Sequence, residues 1–160
     1  MKVAYAVLGD VAPVSWSADW AWGLPLIVIM LVIHVFGLLL INEKSDQVQT
    51  RVFAGHNSRM VFAAIIGGSA LFATLLHGAE VMIWAAAYRL LGALPDTSSA
   101  ILYSLSAMTA YGHARLDLER HWQLMGALES LNGMLLFGLT TAFLFGIVQR
   151  AWALKVSRSR

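Results

Sequence analysis

Three long apolar segments constrain this chain more than any other feature of its sequence. They run from about Gly23 to Ile41, from about Met60 to Leu91 and from about Leu124 to Trp152. A helix that spans a bilayer needs about 20 mostly apolar residues, so each segment is long enough, and the second has residues to spare for tilting. The charged fraction is 12%, against about 25% in soluble domains. We therefore expect an all-α membrane protein.

The positively charged residues predict the orientation of these segments. Seven of the eleven Lys and Arg residues lie between the first and second segments or after the third: Lys44, Arg51, Arg59, Arg150, Lys155, Arg158 and Arg160. With three spans, both regions lie on one side of the membrane, and loops rich in Lys and Arg stay in the cytoplasm. We expect the N-terminus outside and the C-terminus in the cytoplasm. The basic tail, residues 153–160, is expected to remain unfolded near anionic headgroups.

A short apolar segment separates the second span from the third. It follows a turn signal at residues 94–97, where Asp96, Thr97 or Ser98 is a candidate helix cap. The run Ala100–Met108 is too short to cross a bilayer, so it is either a core helix or a re-entrant segment. Non-helical backbone at membrane depth persists only where protein buries it or where it lines water. One small subunit cannot enclose such a cavity, whereas several copies around an axis can.

Three groups of residues, in this order and spacing, resemble a known family. They are Ala100–Ser104, Glu129–Gly133 and Phe137–Phe145, the last of which is similar to a pore-lining inner helix. They make residues 94–152 similar to the two-helix pore domain of the potassium-channel superfamily, in particular to small bacterial members with an extra N-terminal span. The resemblance implies three transmembrane helices plus a re-entrant pore helix and a filter-like loop, assembled as a homotetramer in the bacterial inner membrane.

The same resemblance divides the chain into three parts. Residues 1–59 would form an N-terminal segment, the extra transmembrane helix and a cytoplasmic loop. Residues 60–152 would form the pore domain, with outer helix, pore helix, filter-like loop and inner helix, and residues 153–160 the basic tail. The implied partners are other copies of the chain, permeant ions and the lipid bilayer, with no cofactor.

The residues at the position of the family's selectivity filter depart from its pattern. The family reads Thr-Thr-Val-Gly-Tyr-Gly-Asp, and an ungapped alignment places there Thr109, Ala110, Tyr111, Gly112, His113, Ala114 and Arg115. Ala110 lacks the hydroxyl ligand, and Ala114 would cost about 1–2 kcal/mol in the left-handed backbone that glycine adopts freely. Four copies of Arg115 would form a basic ring, which favours anions. We expect a pore that is weakly selective or anion-permeable, and not potassium-selective.

Four residues of the third segment are candidates for the pore lining or the gate: Gly133, Thr140, Thr141 and Phe145. Gly133, like Gly138, allows either close helix packing or hinge bending. The helical period does not decide whether the two threonines face a cavity or a neighbouring helix. Phe145 would form an apolar constriction, or would face lipid or core.

Ionisable residues within the predicted spans are costly to bury and are functional by default. His34, His77, Glu80 and Glu129 are in this position. Glu80 and Glu129 are candidates for filter support, in which they accept hydrogen bonds from Ser104, Ser106 or backbone amides, or pair with Arg115. His34 is expected to bond to a neighbouring helix, because buried polar groups are usually satisfied.

His77 and Glu80 also allow a metal site. They are three residues apart and share a helix face. Helical bundles build metal sites from glutamates and a Glu-His pair at this spacing. A membrane metal-site protein that uses His77, Glu80 and Glu129 is therefore a weaker alternative, and we expect no metal.

The function classes can now be ordered. An ion-channel subunit is the first hypothesis, and a non-conducting scaffold or regulatory subunit with the same fold is the second. The chain has no cysteine, which excludes disulfides, thiolate metal sites and a cysteine nucleophile. It has no phosphate-binding loop, nucleophile elbow or arginine ladder, so we expect neither an enzyme nor a direct voltage sensor. Its basic residues form no soluble patch, so nucleic acid is not an expected partner.

Overall fold

Helices provide all the regular secondary structure in the described part of the chain. The computed structural model describes residues 16–52, 58–112 and 116–157. Four α-helices follow one another: α1 (Ser17–Val52), α2 (Ser58–Leu90), α3 (Thr97–Met108) and α4 (Gln123–Ser157). A 3-10 turn at Arg120–Trp122 leads into α4. No strand occurs in these ranges, so the prediction of an all-α architecture is confirmed.

Three of the four helices are long and apolar enough to cross a membrane. Their candidate spans are Ser17–Gln47, Met60–Leu90 and Arg120–Arg150, each of 31 residues. At 1.5 Å per residue each span is about 46 Å long, which exceeds the bilayer's hydrocarbon core of about 30 Å. Only 22–28% of the most apolar window of each span is buried within the chain, so most of its side chains face outwards. These are the properties of an integral membrane protein.

α1 and α4 both continue beyond the predicted spans. α1 begins at Ser17 and runs to Val52, through much of the region expected to be a loop. α4 runs to Ser157, so the expectation that the tail remains unfolded is wrong for residues 153–157. Neither extension contains Pro or Gly, and each residue added to an existing helix gains a backbone hydrogen bond. Residues 158–160 lie outside the described ranges.

The start of α3 is fixed by Asp96. This residue has extended backbone angles, and its side chain accepts a hydrogen bond from the backbone N–H of Ser99 at 2.8 Å. The Ser99 hydroxyl donates to the other carboxylate oxygen at 2.7 Å. Asp96 is therefore the cap among the three candidates. It follows the end of α2 closely, because Gly92 adopts a φ of +70° and turns the chain after Leu90.

α3 lies against both α2 and α4. Its Ser104 Oγ lies 3.0 Å from the carbonyl oxygen of Val81 on α2. At its other end, the Met108 carbonyl packs so tightly against Gly133 of α4 that a side chain there would overlap it. α3 thus starts beside the end of α2, runs back along the long helices and ends at a level ten residues into α4.

The hydrophobic core surrounds α3. Trp84 and Tyr88 of α2 are fully buried, as are Met108 of α3 and Met125 of α4. Tyr88 meets Tyr103 of α3 edge to face, with ring centroids 5.3 Å apart. Such aromatic pairs contribute about 0.5–1.5 kcal/mol beyond their buried area. The packing of the chain is therefore concentrated where the short helix enters between the long ones.

Substitution of Gly133 tests the contact between α3 and α4. A Cβ at Gly133 would meet the Met108 backbone, whereas a Cβ at Gly146 on the same helix has no atom within 4 Å. We expect Gly133→Ala to destabilise the protein by about 1–3 kcal/mol, as overpacking does. Gly146→Ala should be neutral or slightly stabilising, because alanine is the better helix former. Unfolding in mild detergent measures both, and equal effects would contradict the contact.

Acidic pH should weaken the start of α3. Hydrogen bonds from the Ser99 hydroxyl and backbone N–H hold the pKa of Asp96 below its ordinary value of 3.8. The cap therefore stabilises the fold above the unfolded-state pKa, and this stabilisation is lost as pH falls through the lower folded-state pKa. We expect Asp96→Ala to lower the melting temperature at neutral pH, with a difference from wild type that shrinks below pH 3.8.

Asp96→Asn is the matched control for this prediction. Asparagine keeps an accepting oxygen at the cap but does not titrate. It should melt close to wild type at neutral pH and lose the acid sensitivity that belongs to this residue. An Asp96→Ala variant as stable as wild type at neutral pH would show that the cap contributes nothing.

Candidate functional site

Two buried polar clusters and the loop after α3 form the candidate site. The first cluster consists of His34 on α1, His77 and Glu80 on α2, and Thr140 on α4; we call it the histidine cluster. His34 Nδ1 lies 2.9 Å from Glu80 Oε1, and His77 Nδ1 lies 3.1 Å from Glu80 Oε2. The Nε2 atoms of the two rings lie 3.0 and 3.1 Å from Thr140 Oγ1. Both imidazoles thus sit between one carboxylate and one hydroxyl.

The helices bring these four residues together near the middle of the membrane spans. His77 and Glu80 are three residues apart and lie on the same face of α2. His34 approaches them from α1, and Thr140 approaches them from α4. His34 and Glu80 are fully buried, and His77 and Thr140 are each 8% exposed. Phe137 stacks on the His77 ring with centroids 4.2 Å apart. The cluster therefore joins all three long helices in an apolar surrounding.

One contact in the histidine cluster is close but poorly aligned. His77 Nδ1 and Glu80 Oε2 are within ion-pair distance, yet their orientation does not meet the geometry of a hydrogen bond. Both atoms are buried and have no other hydrogen-bond partner. An unsatisfied buried polar group costs about 1–3 kcal/mol, and more when it is charged. The cluster is thus only partly satisfied by its own side chains.

The second cluster, which we call the carboxylate cluster, consists of Glu129 on α4, Tyr88 on α2 and Ser104 on α3. The Tyr88 hydroxyl donates to Glu129 Oε2 at 2.7 Å, and the Ser104 hydroxyl is in hydrogen-bond contact with Glu129 Oε1. Glu129 is fully buried. Ser104 is thus the contact of Glu129 among the partners that the sequence left open. Glu80 instead faces the two histidines, so the two glutamates belong to separate clusters.

The sequence pattern does not point to Tyr88 or Asp19, and it leaves open whether Thr140 faces a cavity or a neighbouring helix. Asp19 accepts a hydrogen bond from the Met125 backbone N–H at 2.8 Å. Asp19 is fully buried at the start of α1 and helps to satisfy the start of α4. Its partner is 106 residues away, so no local pattern predicts the contact. The burial of this acid is visible only in three dimensions.

The loop after α3 begins with a helix cap. Ala110 has a φ of +54°, its N–H donates to Ala107 O at 3.0 Å, and the next N–H, of Tyr111, donates to Ser106 O at 3.0 Å. This is a Schellman ending in which alanine takes the left-handed position usually held by glycine. Thr109 also belongs to the cap, since its hydroxyl donates to Leu105 O at 2.7 Å.

Only part of the predicted filter therefore lies outside the cap of α3. Tyr111 is 86% exposed, and Gly112 follows it with a φ of +89°. His113, Ala114 and Arg115 lie outside the described residues. The candidate filter thus starts, in the described part, as an exposed stretch directly beyond the cap of α3.

The four residues of α4 that are candidates for a pore lining or gate fall into two pairs. Gly133 is packed against Met108, and Thr140 lies in the histidine cluster, so both face the chain's own helices. Thr141 and Phe145 face outwards, with Phe145 60% exposed. The close-packing interpretation of Gly133 is confirmed, whereas Gly138 has open space beside it.

No protein-family model, curated protein or solved structure matches this chain.

Removal of the Tyr88 hydroxyl tests the carboxylate cluster. Tyr88→Phe leaves the buried Glu129 with one donor fewer, which should lower the free energy of unfolding by about 1–3 kcal/mol. Tyr111→Phe is the control, because an exposed substitution of this kind changes stability by no more than about 0.5 kcal/mol. Unfolding of the two variants in the same detergent compares them. Equal stability would mean that the hydrogen bond to Glu129 contributes nothing.

Proposed function

We propose that this chain is the subunit of a membrane ion channel with potassium-channel-like architecture and an altered filter, which conducts ions passively with weak selectivity or a preference for anions. α3 takes the role of pore helix, the loop from Thr109 the role of filter, and α4 that of inner helix. The observation that carries the proposal is the depth at which α3 ends.

Exposed non-helical backbone lies deep along α4. Met108 contacts Gly133, which is ten residues after Gln123, so α3 ends about 15 Å along α4. The chain then leaves the helix at once, and residues 109–112 are exposed. The cap bonds the N–H groups of residues 109–111, but non-helical backbone at membrane depth cannot face lipid, because its remaining polar groups would lack partners. Water in a pore, enclosed by further copies of the chain, supplies those partners.

The outer face of α4 supports assembly around an axis. Leu131, Met134, Gly138, Thr141 and Phe145 are three or four residues apart and all exposed. Residues at this spacing form one stripe of a helix. The stripe contains a glycine and a threonine in its middle, and small or hydroxyl residues are enriched where membrane helices approach one another. In a homotetramer, Thr141 and Phe145 then line the inner part of the pore, and Phe145 forms its apolar constriction.

The filter chemistry argues against potassium selectivity. A potassium filter replaces the ion's hydration shell with rings of backbone carbonyls. Here the second filter position, Ala110, has no hydroxyl and forms part of the helix cap. The final position is Arg115 in place of an acid, so the outer mouth gains positive charge. With the basic regions cytoplasmic, this mouth faces the outside.

Flux measurements and thiol labelling test the proposal together. The chain has no cysteine, so a single cysteine can be introduced without background. Wild-type protein in liposomes should pass sodium and potassium to similar extents, or chloride. Tyr111→Cys should react with a membrane-impermeant charged thiol reagent, and the reaction should remove more than half of the flux. Leu71→Cys is the control, because this exposed leucine of α2 faces lipid and should not react.

The outcomes separate the two main functions. Labelling of Tyr111→Cys without any flux would indicate that the protein is a non-conducting scaffold with the same fold and not a channel. Absence of both labelling and flux would refute the pore altogether. Replacing residues 110, 111, 113, 114 and 115 with the family's Thr, Val, Tyr, Gly and Asp gives a further check, since potassium-selective flux should then appear.

A further inference from the structure

The proposed pore gives no role to the histidine cluster, which is the most polar buried group in the middle of the spans. We infer that His34, His77 and Glu80 bind a divalent first-row transition-metal ion such as Zn²⁺, and that Thr140 holds both imidazoles in the metal-binding tautomer. This inference does not rest on the proposed channel function. It differs from the site considered from the sequence, because His34 takes the place of Glu129.

The donor atoms have the chemistry and spacing of such a site. Two imidazole nitrogens and a carboxylate suit zinc and its neighbours, and do not suit Mg²⁺ or Ca²⁺. One ligand atom from each of the three residues lies within 4.8 Å of the others. Ligands at about 2.0–2.2 Å from a tetrahedral zinc lie about 3.3–3.5 Å apart, so a separation of 4.8 Å would have to close by about 1.4 Å. Small rotations of the three side chains would bring their ligand atoms closer together by this distance.

Thr140 determines which ring nitrogens face the metal. A hydroxyl oxygen has two lone pairs, so in the metal-bound state Thr140 Oγ1 would accept from the Nε2–H of both histidines, which lie 3.0 and 3.1 Å away. Without a metal, His34 Nδ1 is hydrogen-bonded to Glu80 Oε1 at 2.9 Å; with a metal bound, each neutral ring would carry its proton on Nε2 and turn the Nδ1 lone pair to the ion. Metal-binding histidines characteristically donate their second N–H in this way. Thr140 is therefore a positioning residue and not a ligand.

Unpartnered donor atoms provide the second observation. His77 Nδ1 and Glu80 Oε2 are buried, 3.1 Å apart and without a hydrogen bond. Two neighbouring lone pairs in an apolar interior repel each other unless a cation or a proton lies between them. A divalent ion satisfies both, together with His34, and leaves a fourth position for the second carboxylate oxygen or a water molecule.

The surroundings favour tight binding. The three ligands are at least nine-tenths buried, and Phe137 covers one face of the His77 ring. The ion would join α1 to α2 directly and α4 through Thr140. Metal binding would then stabilise the packing of the long helices in the middle of the membrane.

Metal titration of the purified full-length protein tests the inference. After treatment with a chelator, wild type should bind one Zn²⁺ per chain in competition with a fluorescent indicator, and should not bind Mg²⁺. Bound Co²⁺ should give the visible absorption bands of a tetrahedral site. Glu80→Gln and His77→Gln should weaken Zn²⁺ binding by more than about 100-fold, whereas His121→Gln, which removes an exposed histidine, should match wild type.

Thr140 variants keep the test informative if the ligand variants fold poorly. Thr140→Val keeps all three ligands and should weaken Zn²⁺ binding by about 10–100-fold, as loss of such a supporting hydrogen bond does. Thr140→Ser should restore it. The inference would be overturned if wild type bound Zn²⁺ no more tightly than Glu80→Gln, whether both proteins bind the ion or neither does. A second result would also overturn it: Zn²⁺ changes the stability of neither wild type nor Thr140→Val, and the stability of both depends on pH in the same way. The cluster would then hold a proton and not a metal ion.

Discussion

Glu129 connects three helices that apolar packing alone would not hold in register. In a membrane, a leucine gains little by leaving lipid for protein, so helices depend on close contact and on polar bonds. The Glu129 carboxylate accepts from Tyr88 on α2 and Ser104 on α3, and it is itself carried by α4. A buried carboxylate is stabilising only when well bonded, which makes each of these contacts a condition for the others. The position of α3, and hence the depth of the loop that follows it, depends on this group.

The two buried clusters act at different levels of the bundle. The carboxylate cluster holds α3 in place near the end of α2 and the start of α4, within the hydrophobic core. The histidine cluster joins the three long helices nearer their middle and does not touch α3 in any described contact. The proposed pore depends on the first cluster and the proposed metal site on the second. One of these proposals can therefore fail without the other.

Much of the fold could be predicted because lipid imposes simple rules. The length and composition of the apolar segments predicted three spanning helices, and the short run after Pro95 predicted a helix that does not cross. Asp96 was among the caps that the sequence allowed, and Ser104 was among the partners that it allowed for Glu129. The partner of His34 could not be predicted, because the rotation of α1 against α2 is set by side chains distant in the sequence. The helix cap at Ala110 was also hidden, since alanine carries no preference for left-handed backbone.

The fixed points of α4 are unevenly distributed along its length. From Met125 to Thr140 the helix is tied to the rest of the chain by the Asp19 hydrogen bond, the carboxylate cluster, the Met108 contact and the histidine cluster. Beyond Thr140, the described polar contacts to other helices are those of Arg150, which bonds to Asn42 and lies 3.8 Å from Asp46 at the surface. Exposed pairs of this kind contribute little. A swing of the part of α4 beyond Thr140 would therefore break few polar bonds between helices, with Thr140 as its pivot and the loop after α3 left in place.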